Sequence, residues 1–160
     1  MTVNVGDKLP DATLVRVTEG GPDAVSTQDF FKGKRVALFS VPGAFTPTCS
    51  AKHLPGFVEK AAELKGKGID TIACVSVNDA FVMDAWGKAQ NAGEKVQMLG
   101  DGNGEFTKAM GLELDGTANG MGPRSQRYSM VVDNGVIKQL FVEQPRAYEV
   151  SSAEHMLKNL

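Results

Sequence analysis

At 160 residues with 42% hydrophobic side chains, the chain has the length of one domain able to bury a core without disulfides, and residues 1–160 are expected to form a single domain. Seventeen Lys and Arg against nineteen Asp and Glu leave a formal charge of −2, which excludes the strong positive field that holds nucleic acid or an anionic membrane. The opening MTVNVGDKLP lacks the basic start and apolar stretch of a signal peptide, and no run of about 18 apolar residues follows, so a cytoplasmic location is expected.

Ser26-Thr27-Gln28-Asp29 has the spacing of a capping box and predicts a short helical turn ending at Gly33, followed by a strand over Arg35-Val36-Ala37-Leu38-Phe39-Ser40. After the segment Val41 to Cys49, Leu54, Phe57, Val58 and Ala61 recur at helical spacing as far as Gly66. Pro55 is expected to kink that helix, because it cannot donate to the carbonyl of Ala51. Ile69 to Val77 reads as a strand, and Asn78-Asp79 as the cap of a helix carrying Phe81, Val82, Ala85, Trp86 and Ala89. Val96 to Leu99 predicts another strand, Gly100 to Gly104 a turn, and Phe106, Ala109 and Met110 a short helix stopped near Gly111. The glycines of that turn lack the Gly-x-x-x-x-Gly-Lys-Ser/Thr arrangement of a phosphate loop.

A polar, Gly-rich loop is expected next. Arg127 to Val132 and Val136 to Val142 then flank Asp133-Asn134-Gly135, a strong hairpin signal. Ser151 and Glu154 form a second capping box, opening a last helix with Met156, Leu157 and Leu160 on one side. Two βα units with a terminal hairpin and helix predict an α/β, thioredoxin-like fold, a central mixed β-sheet flanked by helices.

Cys49 and Cys74 are the only cysteines. Two are no disulfide framework and poor material for a zinc site, so thiol chemistry without a metal is expected. Cys49 falls near a helix start, where the dipole and unpaired N–H groups favour a thiolate. Pro42, Gly43 and Pro47 predict a rigid turn before it, and Thr46, three residues upstream, carries a hydroxyl able to donate to a thiolate and accept from a peroxide. Position alone leaves a second reading open, that of a buried structural thiol behind an ordinary strand-to-helix turn.

The run Pro42-Gly43-Ala44-Phe45-Thr46-Pro47-Thr48-Cys49-Ser50 resembles the Pro-x-x-x-Thr-x-x-Cys motif of peroxiredoxins, and Ala51 to Phe57 is similar to the peroxiredoxin-5, or type II, class. The resemblance extends through Val75 to Asp79, Asp101 to Phe106 and Arg127 to Gly135, and so covers nearly the whole chain. It implies a thiol peroxidase without bound cofactor, reducing hydrogen peroxide and alkyl hydroperoxides. Cys49 would attack the terminal peroxide oxygen. Thr46, Arg127 and backbone N–H groups near Cys49 would hold the peroxide, and Pro42 would shield the sulfenic acid, with Gly43, Thr48 and His53 supporting the pocket. A homodimer formed near Ala44-Phe45 and Phe81 is also implied.

His53, four residues after Cys49, permits a Cys-His dyad but lacks an evident orienting partner, and is read as a pocket-wall residue. Arg124 reads as a loop charge or structural ion pair. Cys74, in an apolar strand, reads as a buried small hydrophobe, with a resolving thiol as the alternative. Some type II members carry a resolving Cys near the C-terminus, where this chain has Val150-Ser151-Ser152-Ala153. That departure favours a one-cysteine cycle recycled by glutaredoxin, glutathione or thioredoxin. A thioredoxin-type oxidoreductase would need Cys-x-x-Cys, and this chain has Thr46-x-x-Cys49. The non-catalytic alternative is a redox-responsive binding or chaperone module on the same fold.

Overall fold

The computed structural model describes residues 2–160. Seven strands form one mixed sheet: β1 (Thr13–Thr18), β2 (Gly21–Ser26), β3 (Arg35–Ser40), β4 (Thr71–Ser76), β5 (Gln97–Gly100), β8 (Tyr128–Asp133) and β9 (Val136–Val142). Their order is β2-β1-β5-β4-β3-β8-β9, with β3, β4 and β5 parallel and the outer pairs antiparallel. The remaining strands, β6 (Glu113–Asp115) and β7 (Pro123–Ser125), form a separate antiparallel pair. They occupy the region expected to be a plain loop. The first hairpin, β1 with β2, has no counterpart among the expected elements.

The sheet divides two cores, because successive strand residues point to opposite faces. Ala37, Phe39 and Cys74 face one core with α2 (Leu54–Glu59), α3 (Ala61–Gly66), α4 (Ala80–Ala89) and α6 (Ala153–Lys158). Val36, Leu38, Ala73 and Val75 face the other with α1 (Thr27–Phe31) and α5 (Glu105–Met110). Among the described residues no helix is long and apolar enough to cross a membrane.

Local signals explain several boundaries. Ser26 Oγ accepts from Asp29 N–H, as its box predicts, and Asp79 Oδ1 accepts from Val82 N–H to cap α4. Asn134 and Gly135, at φ 48° and 81°, form the tight turn between β8 and β9. Three expectations need correction. The final helix is capped by Ser152, whose Oγ accepts from His155 N–H, because the Ser151 hydroxyl is committed to Glu143. The buried side of α4 is Ala80, Met83, Trp86 and Gly87, so that of the apolar residues expected along this helix only Trp86 is buried, and Phe81 is 63% exposed on its outer side. The expected single helix to Gly66 is interrupted twice. Residues Cys49–His53 form a π-helical turn in which Leu54 N–H reaches back to the Cys49 carbonyl, and Lys60, at φ −93° and ψ 7°, separates α2 from α3. The wider turn accommodates the donor that Pro55 lacks.

Gly100, at the end of β5, packs against the start of α4. A Cβ there would lie 2.7 Å from the Ala80 backbone nitrogen and 3.0 Å from the Asn78 carbonyl oxygen. Neither backbone atom can rotate aside. Gly100→Ala is therefore expected to lower unfolding free energy by about 1–3 kcal/mol, measured by urea denaturation; unchanged stability would mean that α4 can shift.

Candidate active site

The sheet's topology assembles the site. β3 leads from Ser40 into the loop carrying Pro42 to Thr46, and β8 runs antiparallel beside it with Ser40 opposite Tyr128. Arg127, the residue before Tyr128, therefore arrives beside that loop although it lies 78 residues from Cys49 in sequence. Helical conformation begins at Pro47, a position where a missing N–H costs nothing, and Ser50 N–H closes the first turn on the Thr46 carbonyl. Cys49 thus sits in the first turn.

Cys49 is fully buried, and its Sγ lies 2.9 Å from Thr46 Oγ1 and 3.0 Å from Arg127 Nη2. Arg127 can only donate. The Thr46 hydroxyl has one proton and two acceptors, for the Gly43 carbonyl lies 2.7 Å away. When Cys49 is a thiol, its S–H can donate to Thr46 Oγ1 while that hydroxyl donates to Gly43. When Cys49 is a thiolate, the hydroxyl can turn to the sulfur. The pair therefore supports both protonation states by rotating one bond.

Gly43 is closely packed: a Cβ there would lie 3.0 Å from Arg124 Nη1, 3.1 Å from Met121 Cε and 3.1 Å from Thr46 Cγ2, so these side-chain ends would have to give way to a larger residue. Arg124 is half-buried and forms no ion pair among the described residues. Its Nε donates to the Met121 carbonyl at 2.9 Å and its Nη1 to the Pro42 carbonyl at 3.4 Å, bracing the loop from behind. From the other side, Ala44 N–H donates to Asn78 Oδ1 at 3.0 Å. Phe45 takes φ 65°, an uncommon conformation for a non-glycine residue, and is 55% exposed.

His53 makes no hydrogen bond to the sulfur. Its Nδ1 lies 2.8 Å from Arg127 Nη1 and its Nε2 lies 2.9 Å from the Ser151 carbonyl. A guanidinium only donates and a carbonyl only accepts, so the neutral Nε2–H tautomer satisfies both. Burial, with the Arg127 charge adding to it, lowers the His53 pKa from 6.5 to about 3. A ring so held is no base for Cys49; the orienting partners that the sequence did not reveal are Arg127 and the Ser151 carbonyl. The ring lies against Phe39 and meets Tyr148 edge-on, with centroids 4.8 and 5.2 Å away.

Cys74 is a free, fully buried thiol in β4, opposite Phe39 in register. Burial pushes its pKa well up, and proximity to Cys49 adds to the effect. Pro42, Thr48 and Arg127 open onto a cavity of about 480 Å³, whose apolar wall includes Leu114, Met121 and Pro145.

The Redoxin family model matches residues 4–157. Peroxiredoxin-2E, chloroplastic, of Arabidopsis thaliana is 53% identical over 163 residues, spanning 99% of this chain and 70% of that protein. Reduced Prx3 of Vibrio vulnificus, solved in complex with hydrogen peroxide, is similar with a TM-score of 0.96 at 55% identity, over 99% of each chain. The Plasmodium falciparum antioxidant protein, a 1-Cys peroxiredoxin, matches with a TM-score of 0.92 at 29% identity, over 99% of this chain and 100% of that one.

The buried imidazole makes the fold acid-sensitive. Unfolded His53 takes up its proton near pH 6.5 and folded His53 only near pH 3, so the unfolded state binds more protons throughout that window. Stability is expected to fall as pH drops from 6.5 toward 3, with this ring contributing up to about 1.4 kcal/mol per pH unit. An NMR titration checks it: a His53 ring protonating near pH 6.5 in the folded protein would contradict the assignment.

Proposed function

The chain belongs to the peroxiredoxin family and is a thiol peroxidase, and we propose that it reduces hydrogen peroxide and organic hydroperoxides by a one-cysteine cycle at Cys49. The observation that carries this reading is the convergence of Thr46 Oγ1 and Arg127 Nη2 on one buried sulfur. Both donors are aimed before substrate arrives, so little reorganisation accompanies the reaction.

In the first step the Cys49 thiolate attacks the terminal oxygen of ROOH. The S–O bond forms as the O–O bond breaks, sulfur is oxidised to the sulfenic acid, and the RO⁻ leaving group takes a proton to become alcohol, or water when R is hydrogen. Arg127 and the N–H groups of the helix start face the charge as it passes from sulfur to oxygen, while Thr46 aligns the peroxide and Pro42 covers the product. The apolar wall of the adjoining cavity suits the organic part of an alkyl hydroperoxide.

An external thiol then condenses with the sulfenic acid, forming a mixed disulfide and releasing water. A second thiol attacks that disulfide, leaving Cys49 reduced and the reductant oxidised. Glutathione with glutaredoxin fits this role best, with thioredoxin the other candidate. Two features support the one-cysteine form: Ser151 and Ser152 stand where a C-terminal resolving thiol would be sought, and Cys74 is enclosed in the central sheet. Because Cys49 is fully buried, the reductant step requires the Cys49–His53 turn to open, and its π-helical hydrogen bonding is the weak place in that helix. Exposed Phe45 and Phe81 support a homodimer that covers them. A reducing compartment such as the cytoplasm suits two free thiols.

Reduced protein treated with one equivalent of hydrogen peroxide is expected to gain one oxygen and lose one thiol by intact mass and thiol titration. Cys49→Ser should abolish turnover, while Cys74→Ser should keep it within about threefold of the parent chain. Loss of two hydrogens and both thiols within one chain would make Cys74 the resolving cysteine. Absence of any fast reaction would favour the redox-responsive binding module.

A further inference from the structure

Two carboxylates are buried among the described residues, Asp101 and Glu143, and Glu143 is the one that lies beside the active-site cavity. Glu143 follows β9 and is 6% exposed, and its backbone N–H donates to the Arg127 carbonyl at 2.9 Å. Its Oε2 accepts four hydrogen bonds, from Glu149 N–H (2.8 Å), Val150 N–H (2.9 Å), Ser151 N–H (2.8 Å) and Ser151 Oγ (2.6 Å). No salt bridge is formed by this carboxylate among the described residues. Burial alone pushes its pKa up, but the Ser151 hydroxyl and the three N–H groups outweigh burial and hold it below the ordinary carboxylate range. One oxygen of this carboxylate thus gathers the backbone of residues 149–151 beside the active-site cavity.

That stretch ends at the Ser151 carbonyl, which lies 2.9 Å from His53 Nε2. The polarity of each following link is forced. The carbonyl accepts, so Nε2 carries the ring proton. Nδ1 is then bare and can accept from Arg127 Nη1 at 2.8 Å, leaving Nη2 directed at Cys49 Sγ at 3.0 Å. Were the Ser151 carbonyl turned away, Arg127 alone would be left to disfavour the Nδ1–H tautomer, which sets a donor against the guanidinium's own donors, and the selection between the two ring forms would weaken.

We propose that Glu143 is a positioning residue for the peroxidatic site: by clamping residues 149–151 it sets the tautomer of His53 and, through that ring, the aim of Arg127 at Cys49. The kinetic consequence rests on the peroxidase reading; the structural link from Glu143 to His53 does not.

Two measurements on Glu143→Leu and Glu143→Gln separate these. The ¹⁵N chemical shifts of the His53 ring report its tautomer, and stopped-flow kinetics give the second-order rate for hydrogen peroxide. Glu143→Leu, which offers no acceptor, is expected to lose the pure Nε2–H pattern and to react about 10- to 100-fold more slowly. Glu143→Gln keeps an acceptor oxygen and is expected to recover most of both. A folded Glu143→Leu variant with the parent ring pattern, or with the parent peroxide rate, overturns the proposal. A parent chain inert to peroxide would instead overturn the peroxidase reading, and the ring shifts would still decide the Glu143 link. If Glu143→Leu does not fold, residue 53 decides. His53→Gln retains an acceptor for Arg127 and a donor for Ser151 and should react at least tenfold faster than His53→Leu, which has neither; equal rates for the two variants would overturn the proposal.

Discussion

A sulfur atom shut away from solvent, with a hydroxyl and a guanidinium both directed at it, is the constraint around which this molecule is arranged. Burying a thiol is ordinary; holding a half-buried permanent cation against it is not, because a charge partly withdrawn from water needs partners. Arg127 meets that requirement by spending its donors on Cys49 Sγ and His53 Nδ1, with the Tyr148 ring 6.0 Å from its guanidinium carbon. A charge so committed has few alternative orientations. That restriction is what preorganisation means in atomic terms.

The fold supplies the geometry at three levels. Antiparallel pairing of β3 with β8 sets the distance between the Pro42 loop and Arg127, so a contact across 78 residues follows from the register of two strands. The loop itself is fixed from two sides, by Arg124 against the Pro42 carbonyl and by Asn78 against Ala44 N–H. The helix that follows is packed more loosely in its hydrogen bonding, since the Cys49–His53 turn is π-helical, while Trp86 Nε1 donates to Ser50 Oγ to hold it down. A rigid loop beside a turn that can open suits a thiol that must be enclosed during attack and reached afterwards.

Much of this was legible because it is local. The Asn134-Gly135 turn, the Ser26 and Asp79 caps and the Pro42-to-Cys49 segment each declare themselves within a few residues, and the alternation of strands and helices implied the mixed sheet. What stayed hidden depends on partners far away. The β1–β2 hairpin lies at the sheet edge, where only Leu14 of β1 is buried, so no alternating pattern marks it. Of the apolar residues read along α4 only Trp86 is buried, because packing turned Ala80, Met83 and Gly87 inward. The cap of α6 slipped from Ser151 to Ser152 because Glu143, eight residues earlier, takes the Ser151 hydroxyl. His53 looked like a possible base until the structure placed Arg127 on one ring nitrogen and a carbonyl on the other.

The claim that Thr46 and Arg127 act together on one sulfur is tested most directly by a double-mutant cycle on the second-order rate of hydrogen peroxide reduction. Thr46→Val and Arg127→Gln are each expected to slow the reaction about 100- to 1,000-fold, and the double variant to fall well short of the product of the two losses, as for groups that act as a unit. Single variants within threefold of the parent chain, or losses that multiply fully, would contradict the account.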